Sequence, residues 1–272
     1  MSVLEPATVE RPERIAKLLA RAGLCSRRDA ERWIVEGRVA VDGRVLTSPA
    51  VTVTAASEVR VDGKPLPAPE RPRLWRYHKP AGLITTHRDE KGRPTVFAAL
   101  PEELPRVVSV GRLDASSEGL LLLTNDGALA RRLELPSTGW LRRYKVRVHG
   151  EVDPTRLAAL QNGITIEGVS YGPIQADLER RQGSNAWIAM VLREGKNREV
   201  RRVLEHLGLM VTRLIRLSYG PFQLGNLARG MVDEVPRKVL AEQLGTAKVS
   251  PRQRRPLVRE APPAVGRAHR RR

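Results

Sequence analysis

Residues 111–127 read GRLDASSEGLLLLTNDG. The stretch sets one carboxylate, Asp114, in a glycine-flanked turn behind Arg112 and then runs into four consecutive leucines, Leu120 to Leu123. A short unbroken apolar run bounded by turn residues reads as a buried strand. Upstream, RVVSV (106–110) is a second strand candidate, so the turn carrying Asp114 is expected to be fixed between two buried strands. Downstream, Asn-Asp-Gly at 125–127 is local punctuation, and GALARRLEL (127–135) begins a helical pattern.

The same reading extends in both directions. YKVRV (144–148), AWIAMVL (186–192) and VTRLIRLS (211–218) are strand candidates. DPTRLAALQNG (153–163) predicts a helix with Asp153 as its cap and Pro154 in the first turn, where the missing N–H does no harm. REVRRVLEHLG (198–208) predicts another, with Val200, Val203, Leu204 and Leu207 on one face. Strands and helices intersperse without clean alternation. That pattern predicts an α+β fold with a mixed, largely antiparallel sheet and helices packed on it, over residues 71–246.

The N-terminal part has a different texture. Residues 1–11 read as a frayed leader, and from Arg14 the pattern turns helical, with Ile15, Leu18 and Leu19 on one face and Gly23 as a stop. Ser26 opens a second helix, with Asp29 three residues on as a capping-box partner. RVAVDGRVL (38–46) and EVRVDGKPL (58–66) are alternating stretches broken by Asp-Gly, a tight hairpin signal. These elements form a compact module over 12–70, joined onward by a linker containing Pro67, Pro69 and Pro72. Residues 247–272 read as a basic, proline-containing tail with too little apolar content to fold alone.

Charge narrows the function. With 48 Lys+Arg against 30 Asp+Glu the formal net charge is +18, which points to a polyanion, and nucleic acid first. Arg21, Arg27, Arg28, Arg32, Arg38 and Arg44 recur on the N-terminal module and predict a phosphate-contacting surface. No apolar run approaches the roughly 18 residues that span a bilayer, and the start lacks an apolar signal core, so a cytoplasmic chain is expected. A single cysteine, Cys25, permits no internal disulfide, and the five scattered histidines give no metal-ligand spacing. Cys25 and His206 read as structural. Asp114 and Glu118 together also admit a glycosidase-like pair, although a hydrolase of neutral sugars would leave so basic a chain unexplained.

RIAKLLARAGLCSRRDAERWIVEGRVAVDGRVL (14–46) resembles the S4 domain, a small RNA-binding fold. GRLDASSEGLLLLTNDG resembles the signature of bacterial ribosomal RNA pseudouridine synthases, as do WRYHKPAGLITTH (75–87), RRYKVRVHG (142–150) and EGKNREVRRVLEHLGLMVTRLIRLSYGPF (194–222). The resemblance implies an α+β chain, an S4-like domain followed by a pseudouridine synthase domain, which cuts the N1–C1′ bond of a uridine in RNA and rejoins the uracil through C5. It implies Asp114 as the catalytic carboxylate, Arg201 as its cationic partner and Tyr144 as the residue that stacks on the uracil and assists C5 deprotonation. Leu214, or Leu217 if the alignment slips, would wall the base pocket, and Arg112 would contact the flipped nucleotide or a flanking phosphate. Read from its pattern alone, Tyr144 is a core residue, sharing a face with Val146 and Val148. No cofactor or metal is implied. The partner implied is ribosomal RNA in a large-subunit assembly intermediate, bound by a monomer; small-subunit RNA is the near alternative, and a non-catalytic ribosome assembly factor of the same fold is the other.

Overall fold

The computed structural model describes residues 12–245; the leader and basic tail read from the sequence lie outside the described residues. Near the N-terminus, α1 (Ile15–Arg21) and α2 (Arg27–Val35) pack their apolar stripes against each other and against a small sheet. That antiparallel sheet holds β1 (Val39–Val41), β2 (Arg44–Val45), β3 (Val59–Val61) and β4 (Lys64–Pro65), in the order β2-β1-β3-β4. Both hairpins turn on Asp-Gly pairs with positive φ, 48° and 78° at Asp42 and Gly43 and 50° and 75° at Asp62 and Gly63, the conformation that fits strand twist. Ser26 and Asp29 form the full capping box at the start of α2. Cys25 is buried in this core, and burial pushes its thiol up to about 11, which leaves it unreactive.

The acids of this module change the reading of its arginine surface. Arg38 forms a bidentate pair with Asp62 at 3.0 and 2.7 Å, Arg32 meets Asp29 at 3.2 Å, and Arg21 pairs with Glu13. Arg27, Arg28 and Arg44 are exposed, and no ion pair engages them among the described residues. Three of the six expected phosphate contacts are therefore engaged within the protein itself, which compositional counting did not reveal.

From Leu74 onward the chain builds one nine-stranded sheet. Its elements are β5 (Leu74–Lys79), β6 (Val108–Val110), β7 (Ser117–Thr124), α3 (Gly127–Glu134), β8 (Arg142–His149), α4 (Pro154–Ala159), β9 (Ile174–Gln182), β10 (Asn185–Leu192), α5 (Glu199–His206), β11 (Met210–Tyr219), β12 (Val232–Glu234) and α6 (Arg237–Gln243). The order along the sheet is β9-β10-β8-β11-β7-β5-β12, with β6 paired to β7 and the ninth, two-residue strand Phe222–Gln223 paired antiparallel to β11. All pairings are antiparallel except β11 with β7. The leucine run explains why β7 lies inside the sheet. All eight of its residues are buried, with Leu120 and Leu122 in one core and Leu121 and Leu123 in another on the opposite face. Asp153 and Asp126 cap α4 and α3. Arg88, in the loop after β5, reaches back to Asp29 at 3.1 Å and ties the two halves together. Among the described residues no helix is long and apolar enough to cross a membrane.

Candidate active site

Asp114 lies in the turn between β6 and β7, at the point where parallel pairing with β11 begins. The turn is braced carbonyl by carbonyl. Thr85 Oγ1 donates to the Leu113 carbonyl (2.8 Å), Gly82 N–H to that of Ala115 (2.8 Å) and Arg201 Nη2 to that of Ser116 (3.2 Å). Lys79 Nζ supplies the rest, at 3.1 Å from the Asp114 carbonyl, 3.3 Å from Ala115 and 2.8 Å from Ser117. Its side chain is fully buried, and burial pushes its pKa down to about 8 against the opposing pull of Asp114 and Glu118. The backbone that carries the Asp114 carboxylate is thereby held in place from several sides.

The turn opens into a cavity of about 970 Å³. Asp114, Arg112, Tyr144 and Leu214 all line it. Leu217 does not; it packs against the core on the far side of the sheet. Tyr144 is buried among the core side chains of β8, as its strand pattern predicts, and also borders the cavity. Arg112 is exposed at the rim, as is Lys91, and neither has a carboxylate partner among the described residues.

The counter-ion differs from expectation. Arg198 Nη1 is 3.6 Å from Asp114 Oδ2, whereas Arg201 is buried on α5 and spends its guanidinium on the carbonyls of Val211 (3.3 Å) and Ser116 (3.2 Å). Arg201 holds the backbone beneath the carboxylate and adds to the local field, while Arg198 makes the ion pair. The difference arises at the helix start: Arg198 has φ 51° and caps α5, which points its side chain toward the turn instead of along the helix.

Glu118 is removed from any paired-carboxylate chemistry. It receives Arg213 at 2.8 and 3.0 Å and Arg229 at 2.7 Å, and the Arg213 hydrogen bonds hold its carboxyl below the ordinary range. A general acid needs the opposite shift, and Glu118 does not line the cavity. Among the described residues no group of three or more His, Cys, Asp or Glu side chains is arranged to hold a metal.

Sequence reading assigned no role to Lys79, Arg198, Arg142 and Arg216. Lys79 had a signal, because strand parity with Trp75 and Tyr77 puts it on a buried face, and a lysine there must find acceptors.

A family model for RNA pseudouridylate synthases matches residues 73–206, and one for the S4 domain matches 13–59. A Rickettsia felis protein described as an uncharacterized RNA pseudouridine synthase is 49% identical over 228 residues, covering 84% of this chain and 99% of the relative. The chain belongs to the RNA pseudouridine synthase family. Ribosomal large subunit pseudouridine synthase B of Yersinia pestis is 43% identical over 225 residues, covering 80% of this chain and 70% of the relative. A crystal structure of a pseudouridylate synthase superposes with a TM-score of 0.59 at 26% identity, covering 85% of this chain and 99% of the other. As a member of this family the protein is an isomerase with an N-terminal S4 domain, and the braced Asp114 turn lies within the matched synthase segment.

Proposed function

We propose that the protein converts one uridine of large-subunit ribosomal RNA to pseudouridine in the cytoplasm, acting as a monomer, with Asp114 as the catalytic carboxylate. The observation that carries the reading is the turn itself: an Asp114 carboxylate on a backbone braced from four sides, opening into a cavity shared with Tyr144 and Leu214. In this reading Asp114 either attacks C1′ or takes the 2′ hydrogen, and both roles need the ionised oxygen. Arg198 and Arg201 lie near that oxygen and offset the repulsion between Asp114 and RNA phosphate. Tyr144 stacks on the flipped uracil, Leu214 walls it, and Arg112 with Lys91 meets flanking phosphates. Extruding the base costs a few kcal/mol, less in a loop or an unfinished assembly intermediate. Residues 12–70 dock the RNA and residues 71–246 carry the chemistry. The large-subunit assignment draws on the Yersinia pestis relative's name.

Pseudouridine mapping of ribosomal RNA from cells with and without the gene tests this reading. One large-subunit site should disappear with the gene. Loss of a small-subunit site instead would redirect the substrate assignment, and no lost site would contradict the enzyme's assignment to ribosomal RNA.

A further inference from the structure

When the N1–C1′ bond breaks, its electron pair stays on N1, and uracil is released as an anion whose charge spreads to O2 and O4. A cation already in place stabilises that charge without reorganisation at the moment of cleavage. Most cations around the cavity are engaged. Arg198 pairs with Asp114, and Arg142 donates to the carbonyls of Trp140 and Arg193 and to the Tyr219 hydroxyl. Lys79 is enclosed by backbone carbonyls, and Arg201 does not border the cavity.

Arg112 and Lys91 are also unpaired among the described residues but lie exposed at the rim, whereas Arg216 is both buried and short of acceptors. It lines the cavity, is only 3% exposed and sits directly across the β8–β11 pairing from Tyr144. Its Nε donates to the Leu120 carbonyl at 2.7 Å, and its guanidinium lies 5.2 Å over the Tyr219 ring. Nη2 is closed off from solvent with no acceptor, and no carboxylate pairs with the group among the described residues. A buried cation without a counter-ion is unfavourable unless something brings it negative charge.

Resting on the reading that this site isomerises uridine, we infer that Arg216 is a further catalytic residue whose guanidinium stabilises the detached uracil anion. The step balances. The C1′–N1 bond breaks with its pair going to N1, while Asp114 either bonds to C1′ or removes the 2′ proton. The turned base then uses the same negative charge to form the C5–C1′ bond, displacing Asp114 from C1′ or letting it return its proton to C2′, and the C5 proton passes to the regenerated carboxylate or to solvent. Arg216 supplies charge throughout and no atom.

The test uses the full chain and a short RNA carrying either uridine or 5-fluorouridine at the mapped target. Fluorine makes the base a better anion, so its release depends less on help from the protein. Single-turnover loss of the parent nucleoside, followed by digestion and chromatography, reads bond cleavage directly. Arg216→Gln should slow cleavage of uridine about 100-fold and of 5-fluorouridine less than about 10-fold. Equal losses on the two RNAs would mean that Arg216 only holds the sheet together, and would overturn the assignment. If Arg216→Gln does not fold, Arg216→Lys carries the same comparison, since its displaced cation should again penalise uridine more than 5-fluorouridine. Absence of wild-type turnover would overturn the functional reading itself, whereas wild-type turnover with equal losses overturns the Arg216 role alone.

Discussion

Lys79 shows how one side chain links burial to chemistry. Its folded pKa of about 8 lies below the ordinary lysine value, so the folded state releases the proton first. Between the folded and unfolded values the unfolded chain binds more protons, and this group's unfavourable contribution to stability fades as pH rises. The ammonium that brackets the Asp114 turn fades in the same window. Turnover should therefore fall with a midpoint near pH 8 while Lys79 causes no parallel drop in melting temperature; a flat pH–rate profile to pH 9.5 would contradict the bracing role. Glu118 makes the opposite case. Its carboxylate is nearly buried, but Arg213 and Arg229 are 37% and 56% exposed, so screening reduces the value of the pairs. Glu118→Gln should cost about 1–2 kcal/mol in denaturant unfolding and leave single-turnover activity per folded molecule intact. Complete loss of activity would revive the paired-carboxylate reading. Asp114 was legible in the sequence because the signature surrounds it. Its ion-pair partner was not, because choosing between Arg198 and Arg201 depends on a left-handed residue at a helix start, which no periodicity reports.

At the scale of elements, the decisive contact is the parallel pairing of β7 with β11, which sets the Asp114 turn beside Leu214. Gly119 permits it. Its φ is +101°, and a Cβ there would lie 2.3 Å from the Arg216 carbonyl oxygen, so a side chain meets backbone that cannot yield. Gly119→Ala should destabilise the protein by more than about 3 kcal/mol and abolish activity, as a urea melt and a turnover assay would show. A loss below 1 kcal/mol would mean that the two strands tolerate separation. Most elements were readable from local chemistry: Ser26–Asp29, Asp153–Pro154 and the two Asp-Gly turns each determine their own geometry within a few residues. The neighbours of β7 were not readable. Four adjacent leucines announce burial on both faces, but the order β8-β11-β7-β5 depends on long-range packing that a run of leucine does not encode.

Across the whole molecule, charge is divided between RNA and the fold. Of the six arginines expected to meet phosphate, Arg27, Arg28 and Arg44 have no carboxylate partner among the described residues, whereas Arg38 is occupied by Asp62. Replacing the first three by Ala should weaken RNA binding and flatten the plot of log affinity against log salt by about 2, at roughly 0.7 per lost phosphate contact. Arg38→Ala should change that slope little. A reversed pattern in a salt series of binding measurements would show that the internal pairs open on RNA. The central claim is that an ionised Asp114 performs the chemistry while other surfaces hold the RNA. It is tested most directly by Asp114→Asn, which keeps the side chain's shape and removes its charge. Pseudouridine mapping of the target RNA should be run beside a binding measurement at one salt concentration. No isomerisation is expected, with affinity retained; appreciable pseudouridine formed by this variant would overturn the role of Asp114.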